Sequence, residues 1–145
     1  MAIRVRPADF DADLVAIRQI RFTVFVDEQA VPASLEIDDR DAHCAHFLAF
    51  DDDKAVGTAR IDCGQDGKIG RLAVLADGRR LGVGRALMQA CHDLALARGL
   101  GQVWCNAQIG AVAFYERLGY TVTGEPFEEA GIEHRRMTRS LSRVW

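Results

Sequence analysis

The chain has 145 residues, 49% of them hydrophobic and 27% charged, with a formal net charge of −3. That length suits one domain with its own core and is short for two, so residues 1–145 are expected to form a single unit. The arginines are interleaved with acidic residues instead of gathered into a run, which argues against nucleic acid, and the longest uncharged stretch, 99–115, is broken by Asn and Gln and does not read as a membrane span. Cys44, Cys63, Cys91 and Cys105 are widely spaced without a Cys-x-x-Cys pair, and no apolar signal core follows Met1. Free thiols acting as small apolar side chains, in a cytoplasmic protein, are therefore expected.

In chain order, Ile3-Arg4-Val5-Arg6 alternates as a strand and Pro7 stops it. Asp11 is placed to cap a helix in which Leu14, Ile17, Arg21 and Val24 recur at helical spacing, ending near Asp27. From Glu28 to Asp41 the sequence is acidic and irregular, a loop or short helix. Residues 45–50 and 55–63 read as a hairpin across Asp51-Asp52-Asp53-Lys54, and residues 68–74 as the next antiparallel strand after the Gly64-Gln65-Asp66-Gly67 turn. Val83, Leu87, Ala90, Leu94 and Ala97 share one face of a long helix that Gly99 ends. Residues 103–105 form a fifth strand and 111–118 a short helix. A strand from Tyr120 then implies a parallel crossover, and after a loop over 125–132 residues 134–141 form the last strand.

The turn Arg79-Arg80-Leu81-Gly82-Val83-Gly84-Arg85 joins the strand at 69–74 to the long helix. A loop opening into a helix leaves backbone N–H groups without intrahelical partners at the positive end of the helix dipole, where a phosphate is a natural ligand. Gly82 and Gly84 let the backbone turn sharply and approach a pyrophosphate. A P-loop would need Gly-Lys-Ser/Thr, and a dinucleotide fingerprint would need Gly or Ala where Leu87 stands.

Arg79-x-x-Gly82-x-Gly84 after Arg71-Leu72-Ala73-Val74 resembles the acyl-CoA pyrophosphate loop of the GNAT N-acetyltransferase family. Asn106, followed by Phe114-Tyr115-Glu116-Arg117-Leu118-Gly119-Tyr120, matches a second element of that family downstream. Phe25-Val26-Asp27-Glu28-Gln29 and Gly131-Ile132-Glu133-His134 are similar to the bacterial ElaA/YjcF-type branch. The resemblance implies an α/β (α+β) fold whose mixed, mostly antiparallel central sheet is splayed between strands 4 and 5 and flanked by helices. It also implies acetyl-CoA as cosubstrate and a small-molecule or peptide amine as acceptor, and it is compatible with a homodimer. The cofactor would be held by Leu72, Ala73, Val74, Arg79, Arg80, Leu81, Gly82, Val83, Gly84 and Arg85, together with Asn106 and Tyr115.

Attack on a thioester needs a neutral amine, and an alkylamine of pKa ~10.4 is protonated at neutral pH, so a base or water relay must take a proton. His46 and Glu28 are the expected bases, with Asp38 another, and Tyr115 is the expected acid toward the CoA thiolate, favoured over the alternative of a core aromatic beside Phe114 and Leu118. Asp38 and His134 are expected to bind the acceptor, in an acidic pocket built from residues 28–39 with His46 and His134. His43-Cys44-Ala45-His46 lacks further ligands at site-forming spacing, so no metal is expected. A catalytically idle CoA-binding regulatory module is the alternative reading.

Overall fold

The structure, a computed structural model, describes residues 3–141. Seven strands, β1 (Ile3–Ala8), β2 (Ala45–Asp51), β3 (Lys54–Asp62), β4 (Lys68–Val74), β5 (Gln102–Gln108), β6 (Thr121–Glu129) and β7 (Ile132–Ser140), form one sheet in the order β1-β2-β3-β4-β5-β7-β6. All neighbours are antiparallel except β4 and β5. The mixed, splayed α/β sheet expected from the family resemblance is present.

Strand alternation divides the core in two. Phe47, Ala49, Val56, Ala59 and Ile61 face α3 (Val83–Ala97), which buries Val83, Leu87, Met88, Cys91 and Ala95. Leu48 and Ala73 face the opposite side and meet Ile17, Ile20 and Val24. These come from α1 (Leu14–Arg21) and from the wider π-helical turns that continue it over Phe22–Glu28. Gly57 lies where α3 crosses β3: a Cβ there would sit 2.8 Å from Val83 Cγ1 and 3.0 Å from Leu87 Cδ1. A glycine inside a strand often marks such a close approach.

Three expectations change. The helix begins only at Leu14, with Asp13 in the capping position and no side-chain cap bond, and the Asp9 carboxylate accepts from the N–H groups of Asp11 and Ala12 in the turn that leads into it. Residues 125–132 are mostly strand: β6 and β7 form a hairpin about Ala130 and Gly131, both with φ above +50°. The strand at 121 is not the direct neighbour of β5, because β7 lies between them, so the hydrogen-bonded parallel crossover is β4-α3-β5.

An ionic lattice fastens the segment after α1 to the sheet. Arg21, 1% exposed, pairs with Glu36, the last residue of α2 (Ala33–Glu36), and donates to Asp41 Oδ1 at 2.8 Å and to the Glu36 carbonyl at 2.7 Å. Arg60 of β3 donates to Asp38 at 2.7 Å and to Asp41 at 2.8 Å. Arg71 of β4 lies in a bulge, where Thr58 pairs with Ala73 but Arg60 pairs with Gly70, and has φ of +51°. Such a conformation costs a non-glycine residue about 1 kcal/mol or more. It turns the guanidinium toward α2, to donate to the Glu36 carbonyl (3.1 Å), the Leu35 carbonyl (3.3 Å) and Asp38 (3.2 Å). Buried charges of this kind persist only when paired and hydrogen-bonded.

Two outcomes follow from this packing. Gly57→Ala should lower stability by ~1–3 kcal/mol, since Val83 is β-branched and α3 must shift off β3; denaturant unfolding indistinguishable from wild type would show that the contact yields freely. In the lattice, the Arg60 guanidinium holds the Asp38 carboxyl down at about 2. Burial pushes Asp41 up, but hydrogen bonds from Arg21 and Arg60 outweigh it and leave its pKa lowered. A depressed carboxylate stabilises the fold above its unfolded pKa of ~3.9 and loses that contribution as pH falls through the folded value. The melting temperature should drop as pH falls from ~4 toward about 2. Asp38→Asn, less stable at pH 7, should fall less steeply over that window, and an unchanged slope would remove Asp38 from the acid response.

Candidate active site

β4 and β5 pair only at Lys68 and Trp104, where the Trp104 N–H donates to the Gly67 carbonyl at 3.1 Å. Trp104 is fixed there by its indole N–H on the Gln65 carbonyl (2.8 Å) and by the cations of Lys68 and Arg136 near its ring. Beyond this point the strands part, and a cleft of about 460 Å³ opens between them. Leu72, Cys105 and Asn106 line its walls, α4 (Val112–Arg117) contributes Phe114 and Tyr115, and the α1–α2 segment contributes Phe25, Gln29, Leu35, Glu36 and Asp38. Gln108 Nε2 donates to Gln29 Oε1 at 2.7 Å, tying β5 to that segment.

The edge of β4 offers unpaired backbone to the gap. Leu75 N–H donates to the Val56 carbonyl at 2.8 Å and Gly57 stands opposite Val74. In an antiparallel ladder the bonded pairs alternate, so the N–H and C=O of Val74 point away from β3 and toward β5. The carbonyl accepts from Arg79 Nε at 2.9 Å.

Gly82, with φ of +78°, precedes α3, and the first helical bond runs from Ala86 N–H to the Gly82 carbonyl at 3.0 Å. The amides of Val83, Gly84 and Arg85 therefore have no intrahelical acceptor and carry the positive end of the helix dipole. Phe114 crosses this turn: a Cβ on Gly84 would lie 3.3 Å from Phe114 Cζ. Gly82 supplies the left-handed turn, and Gly84 makes room for α4.

Tyr115 is 9% exposed and lines the cleft, stacked edge-on against Phe114 and Tyr120. Burial pushes its phenol above the ordinary value, so it holds its proton at neutral pH. Asn106 Oδ1 is buried without a hydrogen-bond partner among the described residues, an acceptor that a bound amide N–H could satisfy. At the other end of the cleft His134 stacks on Phe127, its Nδ1 2.7 Å from the Ile132 carbonyl and its Nε2 3.8 Å from Glu129 Oε2. A carbonyl only accepts, so Nδ1 carries the hydrogen and neutral His134 presents a lone pair at Nε2.

Two candidate bases lie elsewhere. His46 is 3% exposed beneath Phe10, with Nε2 on the Asp41 carbonyl at 2.8 Å, and its pKa is lowered by burial. Strand alternation put it in the ionic lattice and away from the cleft. Glu28 is drawn to the glycine-rich turn, where its carboxylate accepts from Arg79 at 2.5 Å. Asp38 does line the cleft but is bound by Arg60 and Arg71, and Asp62 there is bound by Arg40 at 2.8 Å. The acidic acceptor surface is thus largely compensated from within. Arg60 and Arg71 escaped sequence reasoning, although a charged residue inside the run 56–61 signals a buried partner.

The Acetyltransferase (GNAT) domain family matches residues 9–141. A Bacillus subtilis protein named as an acetyltransferase is 35% identical over 141 residues, covering 94% of this chain and 96% of that protein. The uncharacterized N-acetyltransferase YjcF of the same organism is 39% identical over 122 residues, covering 83% of this chain and 87% of its own. Escherichia coli ElaA superposes with a TM-score of 0.83 at 30% identity, over 95% of this chain and 99% of that one. A crystal structure from Lactobacillus plantarum, named as an N-acetyltransferase, superposes with a TM-score of 0.88 at 28% identity, over 98% and 100% of the two chains. The open β4 edge, the unpaired helix amides and these likenesses converge: the chain belongs to the GNAT family, alongside YjcF and ElaA, and is an acyl-CoA-dependent N-acetyltransferase.

Proposed function

We propose that the protein transfers an acetyl group from acetyl-CoA directly to a primary amine of a small molecule or peptide. The observation that carries this reading is the cleft between β4 and β5, with a proton-holding phenol at one end and an imidazole lone pair at the other. Bound acetyl-CoA supplies a thioester whose acyl carbon gains a C–N bond to the amine and loses its C–S bond to the CoA thiolate.

The chain's own groups divide the remaining work. The amides of Val83, Gly84 and Arg85 hold the pyrophosphate, flanked by Arg79, Arg80 and Leu81, while Leu72 and Asn106 line the path of the pantetheine arm and Ala73, buried against α1, supports the strand from behind. The Val74 N–H, directed into the gap, stabilises the negative charge that develops on the acyl oxygen. His134 Nε2 takes the ammonium proton, directly or through one water. Tyr115 gives its proton to the departing sulfur. Because Asp38 is already paired, the acceptor is held by shape and by Gln29, Gln108 and Glu129 more than by a field of free carboxylates. Four unpaired cysteines, with burial pushing Cys105 up to about 12, fit a reducing cytoplasm.

Turnover of acetyl-CoA against a panel of primary amines tests the reading: acetylated product is expected, and binding without turnover on any amine would leave an idle CoA-binding module. Tyr115→Phe should lower kcat by ~10–10²-fold with acetyl-CoA affinity nearly intact, because a thiolate of pKa ~8.5 leaves readily and the ring still packs. An unchanged single-turnover rate would assign the hydroxyl to packing. His134→Gln should lower kcat/KM by ~10²–10³-fold, against less than ~3-fold for His46→Gln in a folded protein. The reverse ranking would return the base to the buried histidine.

A further inference from the structure

Among the described residues three glycines lie inside strands, and two of them have a structural reason to be glycine. Gly57 meets α3, and Gly124 has φ of +77°. Gly70 of β4 has neither: its φ lies outside the left-handed region, and nothing stands within 4 Å of where a Cβ would be. The neighbouring bulge does not require it, because the positive φ there belongs to Arg71. A glycine inside a strand weakens it, and otherwise marks a place where a ligand or another backbone comes close. Gly70 lines the cleft, so the space over it is cleft volume that any side chain would fill.

The charges around that space are divided between its two ends. Gly70 pairs with Arg60 and Lys68 with Asp62, so these four residues share one face of the sheet, and all four line the cleft. Asp62 stands directly opposite Lys68 and is its natural cross-strand partner. Both Asp62 oxygens, however, are taken by Arg40, at 2.8 and 2.9 Å. Arg21, Arg40, Arg60 and Arg71 are together matched by Glu36, Asp38, Asp41 and Asp62. Two cleft-lining charges fall outside this balance. Lys68 is half-buried and its ammonium meets no carboxylate among the described residues; it lies 5.3 Å from the centre of the Trp104 ring, with the Arg136 guanidinium 4.1 Å from the same ring. Glu129 sits at the opposite end beside His134. Lys68 pairs with Trp104 and His134 with Gln108, four residues further along β5, which sets the two ends about 13 Å apart.

We infer that the acceptor is an ω-amino carboxylate, with its amine at His134 and Glu129, its chain across Gly70 and its carboxylate on Lys68. This rests on the reading of the cleft as the site of amine acetylation with His134 as base, and it narrows the acceptor to amines whose anionic group is well separated from the nitrogen. An α-amino acid carries both groups on one carbon and does not span the two ends. The carboxylate gains a charge-assisted bond to a partly desolvated ammonium, and the missing side chain at 70 gives the connecting chain its passage. Gly70 is then the position that sets how long an acceptor the cleft takes.

The test compares acetylation of β-alanine, γ-aminobutyrate and ε-aminocaproate, each against its own carboxamide, by the full chain with saturating acetyl-CoA. In wild type kcat/KM should rise with chain length, and ε-aminocaproate should exceed its carboxamide by at least about tenfold, the scale of one charge-assisted hydrogen bond. Lys68→Gln should bring that ratio to within about threefold of unity and leave the carboxamide within about twofold of its wild-type value. Gly70→Val should lower kcat/KM for ε-aminocaproate by at least about tenfold, with acetyl-CoA affinity by calorimetry within about twofold and no fall in melting temperature, because valine suits a strand position that has room for it. Gly70→Ala should give a smaller loss in the same direction. Equal use of carboxylate and carboxamide by wild type, an equal loss on both in Lys68→Gln, or unchanged kcat/KM in Gly70→Val would overturn the assignment. Weaker acetyl-CoA binding in Gly70→Val would also overturn it, by placing that residue in the cosubstrate path. If hexylamine is acetylated and no amino carboxylate is, the acceptor class falls while amine acetylation stands. If acetyl-CoA binds and none of these amines is acetylated, the proposed amine acetylation falls and this inference with it.

Discussion

The parting of β4 from β5 after a single residue pair is the constraint on which the rest depends. An interior strand edge without a partner would normally leave buried N–H and C=O groups at a cost of about 1–3 kcal/mol each. Here the cost is limited because the edge faces a cleft that water or an extended ligand can fill. Lys68, Gly67 and Trp104 hold the strands together at one end. Gly67 has φ of +83°, and a Cβ there would lie 2.9 Å from the Gln102 carbonyl. The cleft therefore has a fixed hinge line, and its far end is set by where α3 and α4 are docked.

Docking depends on side chains that are absent as much as on those present. Gly57 brings the first turn of α3 onto β3, and Gly84 brings Phe114 onto the same turn. The unbonded amides of that turn, the Val74 N–H and the Tyr115 phenol consequently belong to one rigid unit. Behind it, Tyr115 stacks on Tyr120, which is bonded through His92 to Arg139. With His92 bonded at both ring nitrogens, a chain of this kind fixes an aromatic ring.

On the other side of the sheet the lattice of Arg21, Glu36, Asp38, Asp41, Arg60 and Arg71 plays the corresponding part for the acceptor wall. α2 has four residues and could not hold a position by helix propensity alone. Its terminal carbonyls are instead claimed by Arg21 and by Arg71, which reaches them because of the bulge in β4. Charges that read in sequence as an acidic acceptor pocket are mostly structural, and this is why they leave little free field for an amine to follow.

By itself the sequence determined the strand–turn–helix unit around Gly82, the helical face that packs on the sheet, and the left-handed stops at Gly99 and Gly119, with φ of +80° and +89°. These are local matters of periodicity, backbone conformation and unpaired helix amides, and they can be read without knowing what lies across the sheet. Residues 125–132 read as a loop because Glu125, Pro126 and Glu128 look like turn chemistry, whereas the second half of β6 is held by its register with β7. The tertiary structure alone decided which histidine reaches the cleft. His46 and His134 are each one strand residue of suitable chemistry, but pairing and pleat send the first under Phe10 and the second to the open face beside Gln108. Tertiary structure alone also set Asp38 against Arg60 and Arg71. Such pairings join residues far apart in the chain, and their partners are selected by register, bulge and helix docking, which no local pattern encodes.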